Sequence, residues 1–224
     1  KPASASASVE GYGWGVAQLT DGKALAPSGS GLSRKNPHGA VYLRKPISVS
    51  KPVTRATAVF CGLGWSELSI DGHLVDDTLM APGFTTYDKR TQYLVRDVTR
   101  FLSKGTHVLA VKLLDGWYAL EKDTWCHGFQ TRPYVDQPKL LLDLHLQHPD
   151  GTETVITSDE TWQWSEGPIT RSWLCEAEED RRVEAGSNGW NPVALVKGPA
   201  GRLVVQKEPP TRLREKHRPI SLEQ

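Results

Sequence analysis

The chain has 224 residues and carries 27 Lys and Arg against 26 Asp and Glu, for a net charge of +1. That length suits one large β domain or two small ones, and so even a balance argues against a dedicated nucleic-acid binder or a polybasic membrane-surface protein. Mean hydropathy is −0.44, and no run approaches the roughly 18–20 apolar residues a helix needs to cross a bilayer.

Plentiful glycine, proline and tryptophan with a single Met favour many turns and short strands over long helices. The opening KPASASASVEG has no charged stretch leading into an apolar one, so the chain reads as mature or trimmed, any signal peptide being gone. Residues 1–37 are rich in Ala, Ser, Gly and Lys, with one aromatic patch at Gly11-Tyr12-Gly13-Trp14-Gly15. They read as a linker with a short docking segment.

Strand signals begin at Ala40. AVYLRKPISV alternates, VTRATAVFCGL follows, and SELSIDGHLV places Asp71-Gly72 between two apolar runs, a strong hairpin signal. DDTLMAPGFTTYDK reads as a long loop and TQYLVRDV as a strand, with Asp97 placed to cap a short turn through Val98–Leu102. THVLAVKLLDG is a strand ending in an aromatic loop that starts at Gly116-Trp117-Tyr118 and runs to about Gln137. KLLLDLHLQ, TETVITS, TWQWSEG and ITRSWLC follow as strands. EAEEDRRVEAG reads as a polar loop or exposed turn. Beyond Asn188 one strand, RLVVQ, precedes a basic, Pro-rich tail. About a dozen short strands at roughly 8–12-residue spacing predict an all-β, antiparallel β-sandwich or jelly roll over residues 38–206. Residues 207–224 read as a connector toward a further C-terminal region.

Cys61, Cys126 and Cys175 match no zinc or CxxC spacing. They are three buried thiols, or a Cys126–Cys175 disulfide beside a core Cys61 if the protein is secreted. His145 and His148 sit three apart on a strand, where they do not converge on zinc. Adjacent carboxylates at Asp76-Asp77, Asp159-Glu160 and Glu178-Glu179-Asp180 point to opposite faces of a strand and make no catalytic pair. Nucleophile-elbow, phosphate-loop and dinucleotide motifs are absent from the sequence.

The stretch from Leu68 to Tyr118 carries an ordered set of motifs. They are Ile70-Asp71-Gly72, Ala81-Pro82-Gly83-Phe84-Thr85, Tyr87-Asp88-Lys89-Arg90, Asp97-Val98-Thr99, Gly105-Thr106-His107-Val108-Leu109 and Gly116-Trp117-Tyr118. In that order they resemble the N-terminal β-sandwich domain of bacterial α-L-rhamnosidases of glycoside hydrolase family 78. The similarity covers about residues Ala40–Gln224. A related sandwich opens family 2 glycosidases, but Ala-Pro-Gly-Phe-Thr and Gly-Trp-Tyr favour the rhamnosidase side. Asp71 departs from the Asn usual in this hairpin, and EAEEDRR only loosely matches the pattern expected there.

The resemblance implies a galactose-binding-domain-like fold, a catalytic (α/α)6 barrel lying C-terminal to it, and a secreted or periplasmic location. It also implies kinship with family 67 rhamnose-binding modules, some of which use calcium. On that reading the partners are L-rhamnose, or a rhamnose-containing polysaccharide or glycoside, and the catalytic domain of the parent enzyme, with neither nucleic acid nor membrane. Sugars offer apolar C–H faces to aromatic rings and hydroxyls to carboxylates and Arg. The aromatic loop supplies both, so Asp115, Trp117, Tyr118, Trp125, His127, Arg132 and Asp136 are the candidate ligand-binding residues. Trp117 and Tyr118 can instead anchor the loop to the core. Asp76, Asp77 and Asp88 are candidate calcium ligands on composition, without an EF-hand pattern.

Three functions follow: a rhamnose-binding module, a domain that only packs on a rhamnosidase barrel, and a self-contained enzyme. An exposed aromatic beside polar groups in the Asp115–Asp136 loop marks the first. An uncovered apolar face marks the second. Two carboxylates about 5–9.5 Å apart in a cleft mark the third.

Overall fold

The computed structural model describes residues 23–28, 39–119, 137–173, 176–179 and 184–217. Their regular elements are strands apart from a single 3-10 turn, Thr99–Phe101. In chain order the strands begin with β1 (Lys23–Pro27), β2 (Val41–Val49), β3 (Arg55–Leu63), β4 (Trp65–Ile70), β5 (His73–Leu74), β6 (Thr78–Leu79), β7 (Arg90–Asp97) and β8 (Gly105–Leu114). They continue with β9 (Lys139–Gln147), β10 (Glu153–Thr157), β11 (Gln163–Ser165), β12 (Ile169–Trp173), β13 (Glu176–Glu179), β14 (Asn191–Lys197), β15 (Arg202–Val205) and β16 (Thr211–Arg212).

One large curled sheet folds on itself in the order β15-β7-β3-β9-β1-β14-β11-β2-β8-β4-β5, with β10 also on β9. β14 joins the two layers of the sandwich, pairing β1 along Val193–Lys197 and β11 at Asn191-Pro192. The sandwich expected from sequence is present, with one difference. β15 runs parallel to β7, so the sheet is mixed.

The main core lies between the layers, where Leu43, Phe60, Leu113, Leu142 and Trp162 are all 2% exposed or less. A second cluster, including Val59, Cys61, Leu63, Tyr87, Tyr93 and Tyr118, lies on the far side of β3 and β9. These two central strands are therefore buried on both faces, and each is an unbroken buried run but for one end residue. By contrast β4 and β8 alternate, with one face in the core and one toward solvent.

Local chemistry explains the punctuation. At the β4–β5 hairpin Asp71 and Gly72 both have positive φ, 51° and 79°, as a two-residue turn matched to strand twist requires. Asp97 Oδ1 accepts from the Thr99 N–H at 2.9 Å and the Thr99 hydroxyl at 2.6 Å, turning the chain into the 3-10 segment.

Three readings move. The segment 1–37, taken as linker, contains β1, whose Ala24, Leu25 and Ala26 are buried between β9 and β14. EAEE, taken as loop or turn, is β13 and pairs with β12. Residues 191–197 form β14, which Pro192 near its start conceals from pattern reading. Cys61 is a free, fully buried thiol whose pKa burial pushes up to about 12; Cys126 and Cys175 lie outside the described residues.

Candidate functional site

The aromatic loop leaves the sandwich where β8 ends. Asp115 to Ala119 form a turn closed by the Ala119 N–H donating to the Asp115 carbonyl at 3.1 Å. Gly116 is forced by close approach. Its φ is 53°, and a Cβ there would lie 2.9 Å from the Gly64 carbonyl carbon in the β3–β4 turn. Gly116 thus seats the following two aromatics. Tyr118 turns inward, 7% exposed, edge-on to Tyr87 at 5.1 Å between ring centroids. Trp117 is half-buried and meets Phe84 at 5.2 Å. Phe84 in turn stands edge-on to Tyr87 at 5.9 Å and is 53% exposed.

Asp115 is 2% exposed, a carboxylate inside the fold rather than at its surface. Of the seven sequence-predicted ligand residues, Asp115, Trp117 and Tyr118 are therefore brought together at this end of the sandwich, with only Trp117 partly open. Trp125, His127, Arg132 and Asp136 lie outside the described residues. Phe84 joins the cluster from the Ala-Pro-Gly-Phe-Thr segment. Its motif signals it in the sequence, but its distance along the chain from Trp117 conceals the contact.

The three candidate metal ligands do not converge. Asp76 accepts from the Thr78 N–H at 3.1 Å and the Thr78 hydroxyl at 3.0 Å, and is paired with Arg96 Nε. Asp77 Oδ1 pairs with Arg212 Nε at 2.8 Å. Asp88 is exposed in the turn before β7. Among the described residues no three His, Cys, Asp or Glu side chains are grouped to hold a metal ion. A guanidinium beside each of Asp76 and Asp77 repels a cation, so these two do not fit a calcium cage as they stand.

The family model for the α-L-rhamnosidase N-terminal domain matches residues 51–215. The chain belongs to this family. An α-L-rhamnosidase of Formosa agariphila is 35% identical over 154 residues, covering 66% of this chain and 16% of that protein. The α-L-rhamnosidase structure from Aspergillus terreus superposes at a TM-score of 0.76 with 29% identity, covering 89% of this chain and 24% of that one. The Streptomyces avermitilis α-L-rhamnosidase complexed with L-rhamnose superposes at 0.70 with 30% identity, covering 80% and 18%. The chain thus spans less than a quarter of each of these proteins.

Within this rhamnosidase N-terminal domain the unusual hairpin residue has a local cause. Asp71 Oδ1 accepts from the Val108 N–H at 2.7 Å, and its Oδ2 lies 2.7 Å from His107 Nδ1. The other ring nitrogen of His107 lies 2.9 Å from the Ser103 carbonyl. The hydrogen bond from His107 and that from the Val108 amide hold the Asp71 carboxyl below its ordinary value. The Asp71 hydrogen bond raises His107, against the opposing effect of burial. An imidazolium donating to acceptors on both sides fits this geometry. Asp71 therefore clasps the hairpin to β8, which an asparagine does without the charge.

Proposed function

We propose that this domain is a non-catalytic carbohydrate-binding module, recognising L-rhamnose or terminal rhamnosyl groups, within an α-L-rhamnosidase. The observation that carries the reading is the Trp117–Phe84 aromatic pair at the root of the Asp115–Asp136 loop, one ring half-buried and the other open. Such rings suit the apolar face and C6 methyl of a 6-deoxy sugar, whose hydroxyls call for polar groups beside them. Membership of the rhamnosidase N-terminal family supports the same ligand class. Recognition occurs without bond cleavage. A single shallow monosaccharide site offers few contacts, so the expected affinity is μM to mM, roughly −4 to −8 kcal/mol.

The test is calorimetric titration of L-rhamnose into the protein and into Trp117→Ala and Trp125→Ala. Heat with the parent chain and loss in either folded variant supports the site. Heat unchanged in both variants moves the site away from this loop. Repeating the titration with calcium and then EDTA tests metal assistance separately. Loss with EDTA gives calcium a part in holding the sugar, and unchanged heat leaves a metal-free aromatic site.

A second reading has its own observation. Leu79, Met80 and Phe84 are 39%, 52% and 53% exposed within one short stretch. Exposed apolar side chains of this kind suit a domain that packs on a catalytic barrel without binding sugar. Absence of heat in every buffer favours that reading.

A further inference from the structure

On the solvent face of β2, β8 and β4 lies a groove of about 390 Å³. That falls within the range of small-ligand sites, roughly 300–1,000 Å³. Strand register builds it. One cross-strand row runs Gln163, Arg44, Ala110, Ser69, Leu74, and the next runs Tyr42, Lys112, Glu67. Small Ala110 and Ser69 leave the floor low, and Trp190, from the turn before β14, stands as a wall.

The charges in this groove are unevenly used. Lys112 Nζ and Glu67 Oε2 neutralise each other at 2.6 Å. Arg44 is held differently. Its Nε donates to Gln163 Oε1 at 3.0 Å, and its guanidinium carbon stacks 4.0 Å above the Trp190 ring. Both contacts fix the plane of the guanidinium, and its two terminal amino groups have no hydrogen-bond partner among the described residues. A fixed, unspent guanidinium fork matches a carboxylate bidentately. Beside it Leu74 and Val108 are 53% and 38% exposed and offer apolar surface.

The occupant meets side chains only. β8 is hydrogen-bonded on both edges, to β2 and β4, and β4 on both edges, to β8 and β5. An extended peptide therefore finds no free backbone edge over the floor. A ring with one apolar face and one carboxylate meets both the apolar surface of Leu74 and Val108 and the charge. We propose that this groove binds a carboxylate-bearing pyranose, a glycuronosyl unit of a glycan, with Arg44 as its carboxylate anchor. The choice of a sugar rests on the carbohydrate-binding reading proposed above, while the groove itself is a separate site from the rhamnose site.

The experiment is a ligand-observed NMR titration of the whole chain with methyl β-D-glucuronide and methyl β-D-glucoside, which share a ring and differ in the carboxylate. The glucuronide is expected to bind at least about tenfold more tightly. Arg44→Gln is expected to reduce it to the glucoside's level, and Ala110→Leu, which fills the floor without touching a charge, to abolish both. Circular dichroism of each variant establishes that it is folded. Equal binding of the two glycosides overturns the proposal, as does binding of neither, or full glucuronide binding in either folded variant. Displacement of the glucuronide by equimolar N-acetylalanine overturns the sugar assignment in favour of a peptide carboxylate. L-Rhamnose is titrated into the same variants. Rhamnose binding retained in Arg44→Gln, with glucuronide binding lost, separates the two sites. Glucuronide binding without rhamnose binding leaves this site standing when the other fails.

Discussion

The Asp71–His107 clasp makes a prediction whose size depends on pH. Asp71→Asn keeps a residue tolerant of φ 51° and an oxygen able to accept the Val108 N–H, but it removes the negative charge facing His107. Hydrogen bonds to charged groups contribute about 1.5–3 kcal/mol when sheltered. Here the His107 side chain is 10% exposed but that of Asp71 is 43% exposed, so solvent screening reduces the expectation to about 1 kcal/mol. His107 is raised on folding, so its contribution is complete below its ordinary 6.5 and is lost as pH rises through the folded value. Asp71 is lowered, so its contribution is present above its ordinary 3.8 and is lost as pH falls through the folded value. The clasp is strongest between these limits. Urea unfolding followed by tryptophan fluorescence should show the variant about 1 kcal/mol less stable at pH 5.5, with a gap of only a few tenths near pH 9. Taking the difference between variant and parent cancels titrations common to both. A gap of equal size at both pH values, or none at pH 5.5, refutes the argument.

Phe60→Ala removes a ring 2% exposed at the centre of the main core and should lower unfolding free energy by about 3–5 kcal/mol in the same assay. Gly116→Ala places a methyl 2.9 Å from the Gly64 carbonyl carbon at φ 53°; a loss of about 1–3 kcal/mol is expected, with altered near-UV circular dichroism from Trp117. Cys61, fully buried with its thiol pushed up to about 12, should resist iodoacetamide at pH 8 in the native protein. Peptide mapping should show it alkylated only in denaturant, and rapid native labelling counts against its burial.

How much was legible follows from how each residue meets solvent. β8 and β4 alternate because one face of each is wet, and Asp71-Gly72 announces its own turn, so these elements could be read directly. In β3 and β9 the second apolar cluster covers the outer face, so even the polar Asp143 and His145 of β9 are 2% and 3% exposed. β1 is five residues, Lys23 followed by small and aliphatic side chains ending in Pro27, too short for periodicity to distinguish from a linker; its partners β9 and β14 decide it. The loop root was visible through Gly116-Trp117-Tyr118, but the inward turn of Tyr118 depends on Tyr87, in a different segment. The Arg44 groove was hidden more deeply. Arg44, Lys112 and Trp190 come from three distant segments, and each occupies a position where sequence shows only an ordinary polar or aromatic residue.

Asp76 and Asp77 bear on how the C-terminal part of the domain is held. Asp76 and Asp77 are neighbours in sequence, yet one meets Arg96 on β7 and the other Arg212 on β16. Between those pairs the chain is stitched down repeatedly. β15 lies parallel on β7, and the Gln206 N–H donates to the Tyr93 carbonyl at 2.9 Å. Gln206 Oε1 accepts from the Gly83 N–H at 3.0 Å, Gln92 donates to Glu208, and β16 pairs with β6. β15 covers what would otherwise be the open edge of β7, a hydrogen-bonding template exposed to other chains. Residues 207–212, read from sequence as connector, are thus bound into the same structure as the Ala-Pro-Gly-Phe-Thr loop that carries Phe84. Because Phe84 packs on Trp117, the position of this segment bears on the geometry at the root of the aromatic loop. Any ligand or partner seated there meets a surface whose shape depends on residues more than a hundred positions apart, Asp77 and Arg212 among them.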